Sequence, residues 1–176
     1  MSHRQLFDAQ VLPHLDAAYN LARWLLRSDQ AAEDAVQEAS MRAFRHLDTL
    51  RGDDARPWLL GIVRNTCFTM LARTRSQPHW VDFDEAEFEA AQVEAPRHAS
   101  DPEQQLQQQR TRTRIDAAIR ALSPPLREVI VLRELEDLDY AQIAKIAAVP
   151  IGTVMSRLAR ARGKLRTALA SISLGE

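Results

Sequence analysis

The chain has 176 residues, of which 45% are hydrophobic, 27% charged and 6% aromatic, a size and balance that suit one or two small soluble domains. A net charge of -1 by itself points to neither a nucleic acid nor a membrane partner, and a single cysteine, Cys67, excludes an intrachain disulfide and a cysteine-based zinc site. No apolar run approaches the roughly 18 residues that span a bilayer, and Met1 to Gln5 lead into mixed polarity, not a secretory apolar core, so a cytoplasmic protein is expected.

With only five glycines and eight prolines, and with apolar residues recurring at threes and fours, the pattern predicts an all-α protein. Leu12, Leu15, Tyr19, Ala22 and Leu26 line one face of a first helix over about residues 4–27. Ser28-Asp29 offers an N-cap to a second helix whose inner stripe is Ala32, Val36, Ala39, Ala43 and Leu47, leaving Asp34, Gln37, Glu38 and Met41 outward. Leu50 to Asp54 reads as a loop, and Pro57 fits the first position of a third helix through Trp58, Ile62, Asn65 and Met70.

Charge divides the chain. Residues 1–78 hold ten basic and nine acidic side chains, residues 79–109 one and eight, and residues 110–176 twelve and seven, for net charges of +1, -7 and +5. The middle piece, with Asp82, Asp84, Glu85, Glu87 and Glu89, then Pro96 and Pro102, reads as a flexible acidic linker between two small helical domains. The second domain opens with a helix ending near Leu122. Ser123-Pro124 starts another, with Leu126, Val129, Ile130 and Leu132 inward. Asp139 and Gln142 form a capping box for a short helix, Pro150 breaks the pattern, and Val154, Leu158, Ala161 and Leu165 then repeat at helical spacing. Thr153, Ser156, Arg157, Arg160 and Lys164 fall opposite that stripe, and no acidic residue occurs from Tyr140 to Gly175. Two helices, a tight turn and a basic second helix make a helix-turn-helix suited to a DNA major groove.

No catalytic chemistry emerges. The five histidines (His3, His14, His46, His79, His98) lack ligand spacing, Cys67 sits inside a helix pattern, and no glycine-rich phosphate loop occurs. The expectation is no catalytic residue, no metal and no cofactor.

Three blocks resemble the extracytoplasmic function (ECF) group of bacterial sigma factors. Gly152 to Arg162 (GTVMSRLARAR), preceded by Tyr140 to Ala144, resembles its C-terminal promoter-binding segment. Ala32 to Glu38 resembles its core-polymerase-binding helix, and Arg56 to Asn65 its minus-10 segment. The resemblance implies an alternative initiation factor, not an enzyme, that docks on core RNA polymerase through Asp34, Gln37, Glu38 and Met41 and carries it to promoter DNA. It implies a minus-10 site made of Leu50, Arg51, Gly52, Asp53, Trp58, Arg64, Asn65, Arg73 and Arg75, with an extruded base held near Asn65. It also implies a minus-35 site made of Thr153, Ser156, Arg157, Arg160 and Lys164, a linker lying along the polymerase's active-centre path, and control by an anti-sigma partner. The chain departs from the family pattern at Met155, often basic, at Gln142, where Glu is common, and at Leu122-Ser123, usually Leu-Pro. A stand-alone helix-turn-helix regulator would leave the first-domain motifs unexplained, and a sigma mimic that only sequesters an anti-sigma protein should lack the basic helix.

Overall fold

The computed structural model describes residues 2–52, 54–75 and 102–173, the side chains of 171–173 excepted. Among them every regular element is helical. Asp53 and most of the 79–109 interval, residues 79–101, lie outside the described residues.

The first unit holds α1 (His3–Gln10), α2 (Leu15–Leu26), α3 (Asp29–Arg45) and α4 (Ala55–Arg75). The single first helix expected over 4–27 is two helices. Pro13 has no N–H to donate, and the chain passes through a 3-10 turn, Leu12–His14, that buries Val11 before α2 begins. Ser2 and Gln5 close a capping box on α1, and α2 ends on Arg27 in the left-handed region, φ 58°. Ser28 caps α3 as expected, its Oγ accepting from the Ala31 N–H at 3.2 Å. Ala32, Ala35, Ala39 and Ala43 are fully buried, and these small side chains let α2 and α4 approach α3 closely. Leu47 is buried too, but in a 3-10 turn, Leu47–Thr49, beyond the helix end. α4 starts two residues ahead of Pro57, and the Asp54 carboxylate accepts from the Arg56 N–H at 3.2 Å. The proline therefore sits in a first turn where its missing donor costs nothing.

The second unit holds α5 (Pro102–Arg120), α6 (Pro124–Ile130), α7 (Tyr140–Ala147) and α8 (Ile151–Ser173). α5 starts eight residues before position 110, so the glutamine-rich stretch from Pro102 is helical instead of linker-like. A π-helical turn, Val131–Leu135, follows α6 and is a break the sequence pattern did not announce. Asp139 and Gln142 form the expected capping box, at 2.8 and 3.0 Å, and Ala148, φ 54°, reverses the chain before Pro150 and α8. Val154, Leu158 and Ala161 lie at 0–1% exposure, the inner stripe of α8. One apolar cluster runs through both units, joining Leu21, Leu25 and Leu60 to Val129, Ile130, Leu132 and Ile143.

Candidate nucleic-acid interface

The α3 surface carries Asp34 and Gln37 exposed, Glu38 half-buried and Met41 at 50% exposure, all on one stripe opposite the buried alanines. Glu38 pairs with Arg42 one turn on, at 2.7 Å, and Asp34 accepts from Gln30 at 3.3 Å, so the stripe is shaped by local bonds and stays open outward. Sequence reasoning missed its neighbour Phe44. That ring is 41% exposed, packs edge-on to Phe7, and has the His3 ring in a T-shaped contact at 4.8 Å. The signal was there, an aromatic three residues past Met41 on the outward face.

At the start of α4, Trp58 donates its indole N–H to Thr49 Oγ1 at 3.3 Å, fastening the helix to the turn ahead of Leu50, Arg51 and Gly52. Gly52, at φ +83°, adopts a backbone conformation that L side chains rarely take. A Cβ at Gly61 would meet nothing within 4 Å, so there is open space between Trp58 and the exposed Asn65 on their shared stripe. Arg73 and Arg75 are exposed but lie about 22 and about 26 Å along the helix from Trp58 at 1.5 Å per residue, and cannot grip the same nucleotide. Arg64 is turned inward. Its Nε and Nη2 donate to the Glu128 carboxylate of α6, at 2.6 and 3.5 Å, and its guanidinium lies 4.1 Å over the Phe68 ring.

On α8, Ser156, Arg160 and Lys164 are exposed and Thr153 is half-buried, with the Ser156 hydroxyl donating to the Thr153 carbonyl at 3.0 Å. Ile151 and Met155, at 47% and 53% exposure, add an apolar pair one turn apart near the helix start. Arg162 is held to Glu134 of the π-helical turn by a half-exposed bridge at 2.7 Å, which raises the guanidinium's pKa. Arg157 differs from the rest of its expected face. It is half-buried, and its Nη1 is buried with no hydrogen-bond partner.

The polar groups that join the two units were not foreseen. Glu136, 8% exposed, accepts from Asn20 at 2.5 Å and from Arg56 at 2.7 Å, and Gln142 donates to Asp54 at 3.3 Å. Arg127, 4% exposed, donates to carbonyls at the end of α5 (Arg120 at 2.9 Å, Leu122 at 2.6 Å) and of α2 (Trp24 at 3.2 Å). Burial, with Arg27 and Arg120 nearby, brings its pKa down to about 10. Glu128 is fully buried. Desolvation pushes its carboxyl up, while the Arg64 bond and the charges of Arg64 and Arg157 pull it back. A charged Arg-Glu pair inside the apolar run from Leu126 to Leu132 was the available sign.

Residues 11–77 match the family described as sigma-70 region 2, and residues 112–165 match sigma-70 region 4. Over 131 residues, 73% of this chain and 69% of the relative, the sequence is 40% identical to the ECF RNA polymerase sigma-E factor of Escherichia coli strain K12. The RNA polymerase sigma-H factor of Pseudomonas aeruginosa is 34% identical over 169 residues, 94% of this chain and 87% of that one. The chain belongs to the ECF sigma factors.

The helical architecture agrees. The sigma factor RpoE from Bartonella quintana, in complex with the anti-sigma factor NepR, superimposes with a TM-score of 0.67 at 29% identity, covering 91% of this chain and 94% of that one. CnrH, in complex with the cytosolic domain of CnrY, shares the fold with a TM-score of 0.63 at 23% identity, covering 94% and 88%. The molecule is thus an alternative sigma factor with both DNA-directed regions of its family, and no described helix is long and apolar enough to cross a membrane.

Proposed function

We propose that this ECF sigma factor acts in the cytoplasm, without chemistry of its own, by docking on core RNA polymerase and placing two separate surfaces on promoter DNA. The observation that carries the reading is the outer face of α8, where Ser156, Arg160 and Lys164 stand exposed beside Thr153 on a helix whose other face is packed shut. Hydroxyls at the start of such a helix suit phosphate oxygens, and a projecting arginine suits guanine edges, so this face would bind the minus-35 duplex. The α3 stripe of Asp34, Gln37, Glu38 and Met41 would meet the polymerase, acid against base around an apolar centre. Leu50, Arg51, Gly52 and Asp53 with Trp58 and Asn65 would hold an extruded base of the minus-10 element, while Arg64, Arg73 and Arg75 would bind phosphates of the melted strand.

The working division is 1–78 for polymerase and minus-10 binding, 79–109 for the linker with the first turns of α5 inside it, and 110–176 for minus-35 binding. Control by an anti-sigma protein is part of the proposal, supported by the likeness to the Bartonella quintana sigma factor in complex with NepR. The test is transcription in vitro with purified core polymerase, with and without this chain, on a broad set of promoter fragments. Specific transcripts that depend on the added chain are expected, and their absence from the whole set would defeat the reading.

A further inference from the structure

A buried carboxylate on α6 is bonded to α4 and feels the charge of an arginine on α8. Glu128 lies on α6 at 0% exposure, and among the described residues its one cationic partner at hydrogen-bonding distance is Arg64, which comes from the other unit. Arg64 is also the arginine that the minus-10 reading sends to the melted strand. Its Nε and Nη2 cannot serve a phosphate and Glu128 together, because both already point at the carboxylate. Releasing Arg64 would strip a fully buried carboxylate of its counter-ion, which is strongly unfavourable unless another cation replaces it.

A second arginine acts on the same carboxylate. Arg157 follows Val154 by three residues and precedes Ala161 by four, so it flanks the buried stripe of α8 instead of the outer face. Its charge acts on Glu128, and its Nη1 is buried with an unused donor. Such an orphaned buried donor needs an explanation in a folded protein. We propose that Arg157 is a positioning residue and not a base reader: it is the standby counter-ion of Glu128, closing on that carboxylate when Arg64 leaves for promoter DNA. The proposal rests on the minus-10 role given to Arg64. Both arginines belong to a single exchange, in which α8 holds its seat on α6 whether or not the first unit stays in contact.

The test uses the full chain bound to core polymerase and a duplex selected from a random library by the wild-type holoenzyme. Arg157→Ala should weaken binding about ten- to a hundred-fold, the cost of a lost bond to a charged group, and by the same factor on duplexes altered in the upstream block. Glu128→Gln keeps the shape and removes the charge, so the double variant Arg157→Ala with Glu128→Gln should return to nearly wild-type affinity. A loss confined to the selected sequence and unrelieved by Glu128→Gln would overturn the proposal, as would no loss at all. A DNA-free measurement separates this from failure of the minus-10 reading. In thermal unfolding of the full chain, Arg157→Ala should lower Tm further in an Arg64→Ala background than in the wild type, and Glu128→Gln should abolish the difference. Equal shifts in both backgrounds would overturn the exchange even if promoter recognition stands. If the coupling is present while the holoenzyme selects no duplex, the counter-ion role holds and the promoter reading fails.

Discussion

Arg127→Met removes a guanidinium that ties three helices together while keeping the aliphatic stem that packs in the core. The guanidinium donates to the carbonyls of Leu122, Arg120 and Trp24 at 2.6, 2.9 and 3.2 Å, with longer contacts of 3.4 Å to Ile119 and Leu25. Counting the three shorter bonds at about 1.5 kcal/mol each for a charged donor gives about 4.5 kcal/mol. Two effects reduce this. Water can reach part of the carbonyl set, since Trp24 and Arg120 are only half-buried, and the buried charge no longer has to be desolvated. The expected net loss is about 3 kcal/mol, which for a chain of this length is a fall in Tm of about 6 to 12 °C. Thermal unfolding followed by circular dichroism measures it directly. A shift under about 2 °C would show that the helix-end carbonyls do not depend on Arg127, and the view of this residue as a shared C-cap would be wrong.

Three further outcomes follow from individual contacts. Asp139→Ala opens the capping box on α7 and should cost about 1 kcal/mol in denaturant unfolding, with Asp139→Asn recovering most of it. Gly163 lies inside α8, and a Cβ there would meet nothing within 4 Å, so Gly163→Ala should stabilise the chain by about 0.5 to 1 kcal/mol; a loss would reveal crowding that the structure does not contain. Arg162→Ala breaks a bridge whose partners are 43% and 49% exposed and should change stability by less than about 0.5 kcal/mol; a loss above 1 kcal/mol in unfolding titrations would contradict the view of this bridge as a surface pair.

Much of the fold was legible because burial writes a period into a helix. The stripes Ala32–Ala39–Ala43 and Val154–Leu158–Ala161 are buried as their spacing predicts, and the caps at Ser28 and Asp139 make the bonds their residue types favour. What the period missed are interruptions within a helix. Pro13 splits the first helix and shifts its stripe: Val11, Ala18, Leu21, Ala22 and Leu25 are buried, whereas Leu12, expected on the inner face, is 46% exposed. The π-helical turn after Ile130 adds one residue to a ladder that otherwise reads as continuous helix.

The outward surfaces were readable from polarity alone: Asp34 and Gln37 on α3, and Ser156, Arg160 and Lys164 on α8, are exposed where the sequence put them. Arg64 and Arg157 were not, since a solvated arginine and one that reaches inward to a carboxylate from another helix have the same local sequence. The orientation of Arg64 is set by Glu128, 64 residues away along the chain, and Arg157 is half-buried with its Nη1 turned in. Cys67 was read correctly as core. It is fully buried, and its thiol is pushed up to about 12, chiefly by desolvation.

The most direct measurement of the account is selection of promoter duplexes from a randomised library by the holoenzyme carrying wild-type chain or Arg160→Ala. The account predicts two enriched sequence blocks for the wild type, with the upstream block blurred and the downstream block kept in Arg160→Ala, at a cost of about 1 to 3 kcal/mol in affinity for the best site. Enrichment of identical motifs by both proteins, or of none by the wild type, would contradict it.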